Sequence, residues 1–452
     1  MLTKFAVMTR LRTDIWFWAM LIMMATASCS DSMDRTEATA TLQPAFANGV
    51  QTVITTRATV SVNGTTPGTT YENDESLNGF GDGITIRAYA VPTGTGANIQ
   101  IDDNRKAGSF RYSSYTWHSS VLATSGLDYN IYAFTPVTMP GASNQEFNWG
   151  VVSGTFSVNN VALTFNNLDV VTETDPLVSI AAAGKHIYVE NGVEKEVVTP
   201  GAPPTTKTLV TPTLTKGNHS IGRVYLSQAD DHLNLYKVWM AMDHLYSKAT
   251  IYFGVDSKYD QIRTIRLKSA KIVIDKSKRT LTGAHSYSFA NSSLVFADNA
   301  AFGQNVNQDL EIDLLRGANA IDNFDRDQNN DAQDYVTLVP PTGPVGNEVY
   351  QEFAWFCFLP QSILPKDNQG QYTLQCPNAT LKVVYDVYDK DGHPVRVNQT
   401  AENSFALDSF YREDYIDQTP RPGDHFKVKV LVKPTYLYQL TDDDGKIDLQ
   451  IQ

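Results

Sequence analysis

Short runs of β-branched and aromatic residues recur along this chain, each closed by a cluster of Gly, Asn, Asp or Pro. This punctuation limits the fold more than any other feature. Residues 84–91, 129–134 and 161–165 are such runs in the first half, and 238–242, 251–255, 262–274, 352–359, 381–388 and 426–432 continue the series in the second. Runs of this length and spacing mark antiparallel sandwiches or barrels. Long stretches with a helical apolar period are almost absent, which argues against enzymes built on parallel α/β sheets. The expected fold class is therefore all-β. Asp389-Lys390-Asp391-Gly392 reads as a hairpin turn, because glycine accepts the positive φ such turns demand. The series opens at residues 38–47, where small or apolar residues alternate with polar ones. Pro44 has no N–H to give a ladder, so this first strand is expected at a sheet edge.

Ahead of the strands stands an export signal. Lys4, Arg10 and Arg12 precede an apolar run over residues 15–24, followed by Ala25, Thr26, Ala27, Ser28 and Cys29. The run is too short to span a membrane, which takes about 20 residues, so it reads as the core of a cleaved signal. A cysteine directly after small residues looks like a bacterial lipobox, with Cys29 lipidated and the chain cut before it, although Thr26 stands where Leu is usual. An ordinary secretory signal with an incidental cysteine is the alternative. Two or more acyl chains on Cys29 would make a firm membrane anchor. Residues 30–34 are polar and acidic, as a tether would be, and resemble the signal that sends lipoproteins of Bacteroides-like bacteria to the outer face of the outer membrane.

A chain of 452 residues favours two or three domains, and 42% hydrophobic residues supply their cores. Between residues 184 and 217 the composition turns Thr- and Pro-rich and poor in aromatics, which suggests a linker or protruding loop. The expected organisation is a signal peptide over 1–28, a tether over 29–37, a β-sandwich over 38–200, a linker or loop over 201–216 and a second sandwich over 217–452. The net charge of −13 argues against nucleic acid as a partner. Besides Cys29 the chain has Cys357 and Cys376, which in an exported protein either form a disulfide or remain as buried thiols on neighbouring strands. No spacing of Cys and His suggests zinc.

Catalytic patterns are missing. Glycines 79, 81 and 83 lack the strand-loop-helix setting of a phosphate loop and read as a β-turn. Residues 325–331 begin like a calcium loop, but the acid expected at the twelfth position is Val336 and the glycine position is Asn330, so a solvated loop is the better reading. There is no nucleophile elbow and no zinc-protease helix. The chain is read as a non-enzyme with no catalytic residue, no metal site and no cofactor. His244 and Lys248 are expected to be structural, and Trp117, Trp239 and Trp355 to be core residues.

The Cys29 lipobox, the junction Thr55-Thr56-Arg57-Ala58, the run Tyr129-Asn130-Ile131-Tyr132-Ala133-Phe134-Thr135-Pro136, the stretch Met242-Asp243-His244-Leu245-Tyr246-Ser247-Lys248-Ala249, Phe358-Leu359-Pro360-Gln361 and Lys433-Pro434-Thr435-Tyr436-Leu437-Tyr438 stand together in this order. In that respect the chain resembles the fimbrillin family, the lipoprotein subunits of type V pili of Bacteroidales. The resemblance implies two antiparallel Greek-key, transthyretin-like β-sandwich domains behind a lipoprotein signal peptide. It further implies a place in a pilus at the cell surface, as shaft, tip or anchor. Its implied partners are other pilus subunits, the outer membrane through the lipid, an arginine-specific protease cutting between Arg57 and Ala58, and for a tip a host or bacterial surface ligand. Assembly would proceed by strand exchange once the first strand is cut away. Two other classes share many of these features: a surface glycan-binding lipoprotein of tandem sandwiches, which would show exposed coplanar Trp or Tyr rings, and a sandwich hydrolase, which would need paired carboxylates in a cleft.

Overall fold

The runs of β-branched and aromatic residues become strands, and no α-helix occurs among the described residues of the computed structural model. These are residues 39–46, 57–61, 68–71, 84–93, 107–113, 116–152, 155–198, 206–225, 235–255, 263–303, 307–339, 349–409 and 419–432. The export signal, Cys29, the tether, glycines 79–83 and the closing segments 434–438 and 447–451 lie outside them.

In chain order the strands are β1 (Thr39–Phe46), β2 (Arg57–Ser61), β3 (Gly68–Tyr71), β4 (Thr85–Pro92), β5 (Ala107–Ser113), β6 (Thr116–Ser119), β7 (Leu122–Thr124), β8 (Asp128–Thr135) and β9 (Ser143–Val152). They continue with β10 (Thr155–Asp169), β11 (Val171–Thr172), β12 (Leu177–Glu190), β13 (Val193–Val197), β14 (Thr206–Thr208), β15 (Ser220–Arg223), β16 (Leu235–His244), β17 (Ser247–Val255) and β18 (Arg263–Ile274). The last are β19 (Thr280–Ser288), β20 (Ser293–Val295), β21 (Ala301–Gly303), β22 (Leu310–Asp313), β23 (Val336–Thr337), β24 (Gln351–Phe358), β25 (Asn378–Asp389), β26 (Pro394–Ala406) and β27 (His425–Val432).

Four sheets result. The first runs β6-β5-β4-β8-β12-β16-β1-β7, with β13, β14 and β15 attached. Its two ends, β6 and β7, are separated in sequence only by Ser120 and Val121. The Ser120 N–H donates to the Ser109 carbonyl of β5 at 3.0 Å, while the Val121 carbonyl accepts from Leu42 of β1 at 2.9 Å. Adjacent residues thus bond to opposite ends of the order, and the sheet closes on itself. Gly108 permits the closure, because a Cβ there would lie 2.7 Å from both Ser120 O and Val121 Cα. Leu42, Ile86, Phe110, Val121, Ile131, Tyr236, Val238 and Met240 belong to the core this sheet surrounds.

The other sheets run β20-β19-β10-β9, β11-β24-β17-β27-β2-β3 and β22-β18-β25-β26. Alternation along their strands sends Phe165, Ile251, Phe253, Phe356, Ile265, Leu267, Leu381 and Val383 into one large shared core, the arrangement of sheets packed face to face. Most pairs are antiparallel, as the short runs imply. Three are parallel: β1 with β16, β17 with β27 and β2 with β27. Strands from before and after residues 201–216 share three of the four sheets. Of that stretch, residues 206–216 lie within the description; they are mostly exposed but pinned by Leu214, which is buried in a small cluster with Ile180, Ile187 and Trp239.

Two of the chain's four crossings between the first and third sheets run from β11 to β12 and from β16 to β17. The two crossings are tied together. The Leu245 N–H donates to the Pro176 carbonyl at 2.8 Å, and His244 Nδ1 lies 2.6 Å from Asp175 Oδ1. His244 is buried, as a structural residue would be.

Candidate functional site

One expectation about β1 is overturned. Pro44 predicted an edge strand, yet β1 lies inside the sheet order, between β16 and β7. The physical reason is the direction of its backbone groups. Along a strand they alternate sides, and Leu42 donates toward β7, so Pro44, two residues on, faces the same way. Its missing N–H therefore falls on the side of β7, a strand of only three residues, and not on β16. There the ladder runs parallel from Leu42 opposite Tyr236 to Phe46 opposite Met240.

Both faces of β1 are occupied. Leu42 is fully buried in the core of the closed sheet, and alternation puts Pro44, also buried, beside it. Gln43 on the outer face is exposed. Ala45, on that outer face, is 4% exposed and packs in the cluster of Trp239, Ile180, Ile187 and Leu214. The segment is thus buried at Leu42, Pro44 and Ala45 and hydrogen-bonded along β16. Taking it out would expose the backbone groups of β16 beside an apolar trough.

Arg57, the expected processing residue, is the first residue of β2 and stands opposite Tyr71 in the β2–β3 pair; Ala58 follows it in the strand. Cys29 falls outside the described residues. Cys357 and Cys376 are both buried, with no disulfide between them. The Cys376 N–H donates to Gln361 Oε1 at 2.7 Å and its thiol to the Leu359 carbonyl at 3.2 Å, and burial pushes the thiol pKa well up. A high pKa suppresses the reactive thiolate. Both thiols, being buried, should resist alkylation in the native protein and label fully on denaturation, as read by intact mass. Rapid native labelling would contradict the burial, and a pair still unlabelled after denaturation would reveal a disulfide.

The remaining motifs serve the fold. Asp327 Oδ1 accepts the N–H groups of Asn329 and Asp331, and Asp325 Oδ2 accepts Thr337 N–H and Oγ1–H, so the calcium-like loop uses its carboxylates to hold its own backbone. Asp389, Asp391 and His393 bring one ligand atom each within 4.8 Å of one another, but Asp389 Oδ1 already accepts the N–H groups of Asp391 and His393 in the hairpin turn. Lys248 Nζ sits 4.2 Å from the centroid of the Trp355 ring and covers it. Trp239 is buried and Trp117 and Trp355 are half-buried, so these three form no open aromatic platform.

Sequence reasoning missed two histidines, His219, which is buried, and His425, which is half-buried. His219 packs against the rings of Tyr132, 4.7 Å away, and Phe289, 5.7 Å away, which also touch each other at 4.9 Å, with Nδ1 3.2 Å from the Ile131 carbonyl. Burial lowers its pKa to about 4. His425, at the start of β27, places Nε2 2.7 Å from Thr250 Oγ1, and burial followed by the charges of Lys248 and Lys427 lowers its pKa to about 3. Nothing in the local pattern of polar and apolar residues marked either position as interior.

No protein family model and no curated protein matches this chain. Among solved structures the chain is similar to a fimbrial protein of Bacteroides vulgatus, at 11% identity and a TM-score of 0.30, covering 87% of this chain and 95% of that one. It is similar to a Bacteroides fragilis protein assigned provisionally to cell adhesion, at 10% identity and a TM-score of 0.33, covering 88% and 93%. It is also similar to the fimbrial anchor protein Mfa2 of Porphyromonas gingivalis, at 11% identity and a TM-score of 0.25, covering 90% and 94%.

Proposed function

We propose that this chain is a structural or adhesive component of a type V, fimbrillin-type pilus, exported as a lipoprotein through Cys29 and joined to other subunits at the outer surface by strand exchange. The observation that carries the reading is β1, a strand buried on both faces and paired in parallel along β16. The order of sequence motifs from the lipobox to residues 433–438 supports it. So do Asp325, Asp327 and Asp389, whose carboxylates accept backbone N–H groups of their own turns and loops.

In this reading β1 covers the groove until a protease cuts between Arg57 and Ala58. A strand from another subunit then takes its place, regaining ladder bonds of about 0.5–1.5 kcal/mol each together with the apolar contacts of Leu42 and Ala45. A role at the tip belongs to the same proposal. The test is to treat the purified precursor with an arginine-specific protease and follow its mass. A single cut after Arg57, followed by release of the β1 fragment when subunits are added, is the expected outcome. Cutting elsewhere, or a β1 fragment that never leaves, would sink the assembly reading.

A further inference from the structure

We propose that Lys268 and Asn398 become joined by an amide bond between Nζ and Cγ, formed with loss of ammonia and assisted by the buried carboxylate of Asp386. The bond fastens β18 to β26 across the intervening β25. It is a single self-modification within one chain and does not depend on strand exchange.

Irregularities in neighbouring strands bring the three groups together. Leu267 stands opposite Tyr385 and Ser269 opposite Val384, so Lys268 is the extra residue of a bulge in β18. On the other side of β25, Tyr385 pairs with Gln399 and Val387 with Arg396, so Asp386 alone faces both Val397 and Asn398 of β26. Asn398 takes a φ of 50°, in the left-handed region that favours glycine. The outcome is a compact cluster. Lys268 Nζ donates to Asn398 Oδ1 at 3.2 Å and lies 3.3 Å from Asp386 Oδ2, while Asp386 Oδ1 accepts the Asn398 N–H at 2.6 Å. An ordinary surface ion pair needs no such distortion: Lys382 reaches Glu402 at 3.4 Å from directly opposed positions of β25 and β26. Here two bulges aim an amine at the carbonyl of a side-chain amide, beside a carboxylate whose side chain is only 5% exposed.

The chemistry balances without a further reactant. Asp386 takes a proton from the Lys268 ammonium, and the freed amine is the nucleophile. Nζ bonds to Cγ of Asn398, and the bond from Cγ to Nδ2 breaks. The leaving nitrogen receives the two protons that Nζ gives up, both carried by Asp386, and departs as ammonium; the carboxylate ends ionised, as it began. Holding amine, amide and carboxylate in contact makes the step unimolecular, which removes much of its entropic barrier. Lys268 is half-buried against the carboxylate, whereas Asn398 is exposed, so the ammonium leaves directly into water. What the bond secures is β26. All thirteen of its residues are exposed or half-buried, and its one neighbour in the sheet order is β25, so apolar contact does little to hold it. A cross-link between residues 130 apart in sequence ties that strand to the sheet and restricts the unfolded chain, as a long-range disulfide does.

The test is a peptide map of the purified full chain, denatured and then digested with trypsin. Residues 267–271 should appear joined to residues 397–412 in one branched peptide, uncut after Lys268 and lighter than the two linear peptides together by one ammonia. Lys268→Arg keeps a cation beside Asp386 but removes the amine, and Asp386→Asn keeps an acceptor for the Asn398 N–H but cannot carry the proton. Both variants should lose the branched peptide and yield the two segments separately. Because the wild-type map decides the matter, a variant that folds poorly does not blunt the test. Recovery of the two segments from the wild-type chain only as separate linear peptides, with cleavage after Lys268, would overturn the proposal. A branched peptide that persists in Asp386→Asn would overturn the part given to that carboxylate.

Discussion

Acidification from neutral pH to about 4 should strip this protein of several kcal/mol of stability, most of it through the buried His219 and the half-buried His425. In the unfolded chain a histidine takes up its proton near pH 6.5. In the folded protein His219 does so only near 4 and His425 only near 3, because burial disfavours the charged ring in both and Lys248 and Lys427 repel it further at His425. Between those values the unfolded state binds more protons than the native state, so stability falls as pH falls. The loss begins below about 6.5 and approaches about 1.4 kcal/mol per pH unit for each histidine. By pH 4 each has removed about 3 kcal/mol, a large share of the 5–15 kcal/mol typical of a folded domain. His285, whose pKa burial also lowers, acts in the same direction. Asp169 acts against them: burial raises its pKa despite the Thr280 hydrogen bond and Arg279, so the native state takes its proton first and gains on acidification. Denaturant midpoints measured from neutral pH down to about 4 read the effect. His219→Phe, which keeps a ring packed against Tyr132 and Phe289, should flatten the profile even if it lowers the midpoint at neutral pH. A midpoint that does not move on acidification would contradict the burial of both rings.

That sensitivity was hidden in the sequence for the same reason that much else was. Period-two alternation reports what one strand does to its two faces, and it located β8, β18, β24 and β27 to within a residue of their observed limits, whereas β16, β17 and β25 begin three or four residues earlier than their apolar runs. It says nothing of which strands become neighbours. Val428 and Val430 alternate with lysines in a way that any pairing would satisfy, and only the structure shows β27 lying parallel to β17. Likewise, Pro44 carries a valid local rule, that a proline cannot donate. The rule decides between edge and interior only when it is known which neighbour the missing N–H faces, and a three-residue neighbour makes the interior tolerable. Histidines 219 and 425 are interior because a second element covers them: Phe289 lies over one and Thr250 bonds to the other. The polar groups of the calcium-like loop were legible because their partners lie within a few residues, and their caps could be read from Asp, Asn and spacing alone.

Replacing Phe353 with alanine should be among the most damaging single changes outside the groove, costing about 3–5 kcal/mol, whereas Trp355→Ala, two residues away, should cost far less. Strict alternation would put both rings on one face of β24. The register shows why it does not: Ile251 of β17 stands opposite Ala354, but the next residue, Tyr252, stands opposite Glu352, which leaves Phe353 as the extra residue of a bulge. The bulge turns its side chain into the shared core, where it is 0% exposed and meets the Phe253 ring edge to face at a centroid distance of 4.9 Å. Truncation there removes a ring from a close-packed interior and leaves a cavity that strands on either side cannot collapse to fill. Trp355 instead lies partly exposed beneath the Lys248 ammonium, so its loss costs a surface cation–π contact of about 0.5–1 kcal/mol and some covered apolar area. The comparison is best made by urea unfolding with unchanged m-values as the control that both variants unfold from the same state. Equal losses for the two substitutions would mean that the bulge does not divide the faces of β24, and that Phe353 and Trp355 share one environment.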